Sequence, residues 1–269
     1  MIIFGEIMII KCNGNDKDKI IRYIGEDYGK CLYMYIDLIK YGLKNENFLM
    51  WIQYNDDEIS CLISQYYNGI QIYSKNCDFD SNEIVEFITK KDPQIISGMD
   101  KTIDKIKKFF INYSEEVGVV GELSKLIYSP NLNAYSASLG EMGEIARIVS
   151  QDDVLGKPYG YELLYTQFCE RKKDKFGRNF ILRDSSTNEI ICHAATYAEL
   201  PELAVISGVL TTPQYRGKGF SKGVLSAICK ELQFENKRVF SYFYIVPAEK
   251  MHYGVGFEKK GEWVKLVKH

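Results

Sequence analysis

Residues 214–219 read Gln-Tyr-Arg-Gly-Lys-Gly. Gly217 and Gly219 leave backbone N–H groups bare, because no side chain holds a ligand away from them. Arg216 and Lys218 add a forked and a compact positive charge. Residue types of this kind suit an anion, and phosphate above all. The flanking residues build the scaffold that such a loop needs. Residues 205–212, VISGVLTT, are apolar and β-branched and predict a strand. Pro213 ends it, since proline cannot donate to a sheet ladder. From Phe220 onward Val224, Leu225, Ile228, Cys229 and Leu232 recur at helical spacing. The first turn of a helix carries unpartnered N–H groups and about half a positive charge from its dipole. Strand, glycine loop and helix together therefore make a phosphate pocket.

Three other readings compete. Gly217-x-Gly219-x-x-x-Gly223 resembles a dinucleotide fingerprint, which needs a strand running directly into the first glycine and an acid about 20 residues on. Here residues 213–216 intervene, and the following strand ends at Val246-Pro247 without an acid. A nucleotide P-loop ends in Gly-Lys-Ser or Gly-Lys-Thr, and Gly217-Lys218-Gly219 does not. The plain alternative is a structural turn and helix start that binds nothing.

The spelling Gln214-x-x-Gly217-x-Gly219 between strand and helix resembles the central motif of the GNAT superfamily, the Gcn5-related N-acetyltransferases. The resemblance covers Leu126 to His269. It implies that the loop amides, with Gln214, Arg216, Gly217, Lys218, Gly219, Phe220 and Ser221, hold the pyrophosphate of acetyl-coenzyme A. It implies that Val209, Leu210 and Thr211 pair with the pantetheine arm. The loop-bearing strand would carry a bulge and splay from the next strand, at residues 239–246, with the thioester in the gap.

Acetyl transfer to an amine needs a deprotonated amine, a donor for the oxyanion and a proton for the departing thiolate. In the family a tyrosine precedes Gly-Phe by four residues and supplies that proton. Counting back from Gly256-Phe257 puts His252 at that place and Tyr253 one residue later. Both stay open as the acid: an imidazole titrates near neutrality, and a helix one residue shorter would present Tyr253 instead. Glu199 and Glu202 flank Pro201 at the turn into the key strand. Glu202 is the candidate base, with solvated turn carboxylates or a water chain as the alternatives. His193 reads as a core histidine. No cysteine stands beside the loop, so the expected route is direct amine attack.

Composition narrows the class. Of 269 residues 46% are apolar and 26% charged, which suits a globular protein. A net charge of −2 argues against a nucleic-acid surface. No apolar run approaches the roughly 20 residues needed to span a bilayer, so no membrane partner is expected. MIIFGEIMIIKC lacks a basic leader and reads as a strand rather than a signal peptide. Seven widely spaced cysteines without a CxxC pair point to neither zinc nor a disulfide framework, and a reducing cytoplasm follows as the default.

The remaining pattern predicts a mixed α/β fold of the GNAT kind, with a mainly antiparallel sheet flanked by helices. In the first half helices are expected at 17–24, 27–41, 81–90 and 101–110, and strands at 48–54, 59–67, 70–73 and 93–97. The polar, glycine-bearing stretch 113–121 reads as a linker. Beyond it strands are expected at 126–129, 134–138, 179–183, 189–198 and 257–267, and helices at 141–150, 161–173 and 248–253. Asn47-Phe48 precedes Glu58-Ile59 much as Asn179-Phe180 precedes Glu189-Ile190, and the order of elements repeats. Two tandem GNAT-like domains are therefore expected, 1–115 and 116–269. The first would lack the cofactor loop, because residues 73–82, YSKNCDFDSN, hold no glycine and two repelling aspartates. The expected function is acetyl-CoA-dependent acetylation of a primary amine on a small molecule, amino acid or peptide. The alternative is a non-catalytic acyl-CoA-binding or regulatory module.

Overall fold

The computed structural model describes residues 8–269. The chain divides into two compact units: one runs to Val120 and takes in Lys260–His269, the other is Gly121–Lys259. Each is a mixed, mainly antiparallel sheet flanked by helices.

The first unit follows the order β1 (Met8–Lys11), α1 (Lys17–Ile24), α2 (Leu32–Tyr41), β2 (Phe48–Asn55), β3 (Glu58–Tyr66), β4 (Gly69–Tyr73), α3 (Ser81–Lys91), β5 (Ile95–Met99) and α4 (Asp100–Asp104). Strand β6 (Tyr113–Leu123) then carries the chain into the second unit, which continues with β7 (Tyr135–Ser136), α5 (Met142–Ser150) and α6 (Gly160–Lys173). It goes on through β8 (Asn179–Arg183), β9 (Ile190–Glu199), β10 (Leu203–Thr211), α7 (Phe220–Phe234), β11 (Arg238–Phe243), α8 (Val246–Tyr253) and β12 (Phe257–Lys268). Both units thus run strand, two helices, three strands, helix, strand, helix. The sheet order is β1-β2-β3-β4-β5 in the first unit and β6-β11-β10-β9-β8-β7 in the second. The end of β12 belongs to the first unit, where Trp263–Val267 pairs antiparallel with Ile95–Met99.

Parallel pairing occurs at corresponding places, β4 with β5 and β10 with β11. A parallel pair needs a crossover, and α3 and α7 supply it. In the second unit the predicted stripe of α7 is buried: Val224, Leu225, Ile228, Cys229 and Leu232 pack on Phe180, Ile206 and Val239. The opposite face of the sheet buries Ile181, Ile190 and Leu210 against Met142, Ile145 and Phe168 of α5 and α6. Truncating one of these side chains to alanine costs about 2–5 kcal/mol.

Several elements differ from expectation. Residues 113–121 are not a linker but most of β6, and the division between units falls inside that strand. Gly121 sits there because a ring comes close: a Cβ on it would stand 2.6 Å from Phe243 Cε1. Residues 126–129 form no strand. They cross α7 through isolated bonds, Ile127 N–H to Val255 O and Ser226 Oγ–H to Tyr128 O. The helix expected at 101–110 stops at Asp104, and the one expected from Asp27 becomes regular only at Leu32. Helix α3 is capped by Asp80, whose side chain accepts from Asn82 and Glu83 N–H. Of the N-terminal strand, Met8–Lys11 is β1; its first seven residues lie outside the described residues.

Candidate functional site

The site grows from the way β10 leaves its neighbours. Leu203–Ile206 pairs with Arg238–Ser241 of β11, and beyond Ile206 that pairing ends. On its other edge β10 bulges: Ser207 faces Ala195 and Leu210 faces His193, so Gly208 and Val209 together stand opposite Ala194. Gly208 has φ +61°, a conformation that favours glycine. Loss of the pairing with β11 leaves β10 from Ser207 onward with an unpaired edge on that side. Val209 packs toward α7 and Leu210 toward α5 and α6. Their side chains thus serve the two cores, and it is backbone that borders the gap.

The loop follows. Residues Pro213–Tyr215 make a single turn, and Gly217 and Gly219 follow with φ +79° and +81°. Gly219 is the N-cap of α7 and, having no side chain, caps nothing. Gly217, Lys218 and Gly219 are exposed. Among the described residues no backbone or side-chain acceptor takes the N–H groups of residues 217–222; the first amide with a partner is that of Gly223, which bonds to Gly219 O. Six consecutive amides at the positive end of a 15-residue helix meet the physical requirement for an anion.

The basic residues are partly tethered. Arg216 donates from Nε to Thr211 O at 3.0 Å, and its guanidinium stands 3.6 Å from Asp152. Lys218 lies over the Tyr215 ring, whose hydroxyl donates to Asp184 at 2.9 Å. Gln214 is exposed, and Phe220 and Ser221 are half-buried at the helix start. Thr211 Oγ1 lies 3.1 Å from Cys192 Sγ, a buried thiol that desolvation pushes up to about 11.

The two candidates for the acid separate. His252 is 3% exposed and stacks on Phe243. Its Nδ1 donates to Ala248 O at 2.7 Å and its Nε2 accepts from Ser241 Oγ at 2.9 Å. Both nitrogens are spent, and burial lowers its pKa to about 4. The ring is turned into the core, so the expectation that it faces the gap runs against its burial and bonding. Tyr253 ends α8, is half-buried, and meets Phe243 edge-on at 5.8 Å. Burial first, and then a hydrogen bond with Glu249, raises its pKa, so the phenol keeps its proton. The end of α8 adjoins the start of α7: a Cβ on Gly254 would stand 2.6 Å from Lys222 Nζ.

Glu202 is not brought to this region. It precedes the first residue of β10, six residues before Gly208, which at strand rise is about 20 Å. Glu199 is held in a buried ion pair, both its oxygens receiving Arg178. Sequence reasoning missed two neighbours of the loop and the bulge. Tyr128, in the segment crossing α7, puts its hydroxyl 3.9 Å from where a Gly219 Cβ would be. His193 bonds to Gly208 O. The lone glycine inside the 205–212 pattern was the available signal for the bulge. Tyr66, in the first unit, stacks on Tyr41 and meets Tyr67 edge-on.

No protein-family model matches the sequence, and no curated protein matches it. Solved structures do match. The chain is similar to a GNAT-family acetyltransferase from Colwellia psychrerythraea at 12% identity, over 97% of this chain and 100% of that one, with a TM-score of 0.64. It is similar to a GCN5-related N-acetyltransferase from Sphaerobacter thermophilus at 12% identity, over 97% and 95%, with a TM-score of 0.66. A tandem GNAT protein from the clavulanic acid biosynthesis pathway aligns at 10% identity, over 97% and 98%, with a TM-score of 0.60. At these identities the likeness shows the fold: the chain has the GNAT fold, and the tandem relative fits its two-unit build. The likeness takes in both units, whereas the motif resemblance began only at Leu126.

Proposed function

We propose that the protein is an acetyl-CoA-dependent N-acetyltransferase whose cofactor site lies in the second unit, with Gly121–Lys259 as the acetyltransferase domain proper and the first unit as a GNAT-like partner without a cofactor loop. The observation that carries this reading is the run of unpartnered amides at residues 217–222, which begins in the exposed loop 217–219 at the mouth of the gap between β10 and β11. The donor set suits a pyrophosphate: backbone N–H groups, the α7 dipole and Lys218, with Arg216 held near by Asp152. Acetyl-coenzyme A, when bound, would supply an activated acetyl thioester.

The chain's own residues then orient and move protons. The unpaired edge of β10 from Gly208 to Thr211 aligns the pantetheine arm and offers N–H groups to the oxyanion. The amine nitrogen forms the new C–N bond, the C–S bond breaks, and the Tyr253 hydroxyl gives its proton to the departing thiolate. The amine's proton leaves to water, and the Tyr253 phenolate regains one from solvent. No thiol nucleophile is needed, and Cys192, the nearest to the strand end, is buried and protonated. The acceptor is a primary amine of a small molecule, amino acid or peptide. The seven cysteines are free thiols, which suits a reducing cytoplasm, and no described helix is long and apolar enough to cross a membrane.

One observation favours a second reading, a non-catalytic acyl-CoA-binding module: the carboxylate expected as the base, Glu202, lies at the far end of β10, about 20 Å from the bulge. Thiol release from acetyl-CoA with a panel of primary amines separates the two. The enzyme reading expects amine-dependent release, lowered about 10- to 100-fold in kcat by Tyr253→Phe with little change in KM for acetyl-CoA. Coenzyme A binding without release for any amine favours the binding module.

A further inference from the structure

We propose that His193 is a positioning residue, one that sets the β10 bulge from the buried side of the sheet and so holds the oxyanion-binding edge of the strand in register. The inference rests on the acetyl-transfer reading above. His193 lies on β9 and is fully buried. Its Nδ1 stands 2.8 Å from Gly208 O, the carbonyl that the bulge displaces from regular pairing. A carbonyl oxygen only accepts, so Nδ1 carries the proton. The neutral ring then has a lone pair at Nε2, which stands 2.8 Å from Asn179 Oδ1. The Asn179 amide, whose oxygen and nitrogen exchange by a half-turn, satisfies Nε2 with its NH2.

The ring cannot drift. Asn179 is itself buried, and Phe168 covers the imidazole at 6.0 Å between ring centres. A Cβ on Gly208 would stand 3.5 Å from His193 Cε1, so the ring also limits how far the bulge can sink. Burial lowers the His193 pKa to about 4, which keeps the ring a neutral single donor at working pH. Without it, Gly208 O would be a part-buried acceptor lacking its partner, and the strand would relax toward regular pairing with Val209 and Leu210 exchanging faces. The first unit supplies the contrast. There β4 pairs with β3 in unbroken register, and no histidine lies on β3.

The two ring nitrogens can be tested one at a time, because His193→Asn keeps an N–H near the Nδ1 place, His193→Gln keeps one near the Nε2 place, and His193→Leu keeps neither. Thiol-release kinetics, coenzyme A calorimetry, thermal melting and the amide spectrum of Val209 are measured on the full chain. The expected result is kcat within about threefold of wild type for Asn but lowered tenfold or more for Gln and Leu. Coenzyme A affinity, held mainly by the loop amides, should stay within about twofold in Asn and fall less than kcat does in Gln and Leu, and the Val209 amide resonance should move only in Gln and Leu. Equal losses of kcat in Asn and Gln, or losses that follow melting temperature alone, overturn the positioning role while leaving the enzyme reading intact. A wild-type chain that releases no thiol with any amine overturns the enzyme reading and this role with it, whatever the Val209 resonance does.

Discussion

Helices α3 and α7 occupy the same place in the two repeats, yet their N-termini are built for opposite ends. At α3 the Asp80 side chain accepts from the N–H groups of Asn82 and Glu83, at 2.8 and 3.0 Å. The chain has put its own carboxylate where a ligand's phosphate would go. At α7 the cap is Gly219, and the amides are left open. The strands before them differ in the same sense. Strand β4 is regular, and Gly98 of β5 lies so close that a Cβ there would meet Ile72 O at 2.8 Å. Strand β10 is bulged and parts from β11 after four residues. One topology thus yields a closed, self-capped unit and an open one, and the change depends on a cap residue, a bulge and a buried histidine.

The comparison can be broken most severely by copying one repeat into the other. Gly219→Asp places a carboxylate at the α7 N-terminus, as Asp80 does at α3. Aspartate tolerates positive φ better than most residues, and only the Tyr128 hydroxyl lies near. Coenzyme A affinity should fall at least tenfold by calorimetry, with the melting temperature changed by only a few degrees.

A second test uses pH. His193 and His252, both in the second unit, have folded pKa values near 4 against about 6.5 unfolded. As pH falls from about 6.5 toward 4 the unfolded chain takes up protons that the folded unit refuses, so that unit loses stability. In the first unit desolvation pushes Asp37 up to about 7. Over the same range the folded Asp37 is protonated and the unfolded one, near 3.8, is not, so that unit gains stability as pH falls. Native-state hydrogen exchange between pH 7 and 4.5 should show protection falling in residues 121–259 and rising around α2. Asp37→Asn should remove the rise. Parallel trends in both units would contradict the assignment.

The smallest effect is expected at the first unit's cap. Asp80→Ala should cost about 1 kcal/mol by denaturant unfolding and leave coenzyme A affinity unchanged. A drop in affinity would mean that the self-capped helix is not idle.

Much of this was legible in the chain itself. Local signals carried it: Pro213 and two glycines after a β-branched run, then a helical stripe that is buried as its spacing demands. Long-range signals did not. Strand β6 was hidden because Gly118 and Gly121 read as linker residues, and only the approach of Phe243 explains Gly121. His252 and Tyr253 could not be separated, since one residue of helix register decides which faces inward. Helix α8 begins at Val246, two residues before its expected start. His193 could be read as a core residue but not as Gly208's partner, a pairing that depends on a register 15 residues apart.

The claim that everything else depends on is the open helix start, and a calorimetric titration of coenzyme A against wild type and Gly217→Glu tests it most directly. The glutamate projects into open space, since nothing lies within 4 Å of that Cβ, so the fold should survive the strain of its positive φ. The account predicts saturable binding to wild type and at least a hundredfold loss in the variant. Equal affinity in the two proteins, or no binding to wild type, would contradict it.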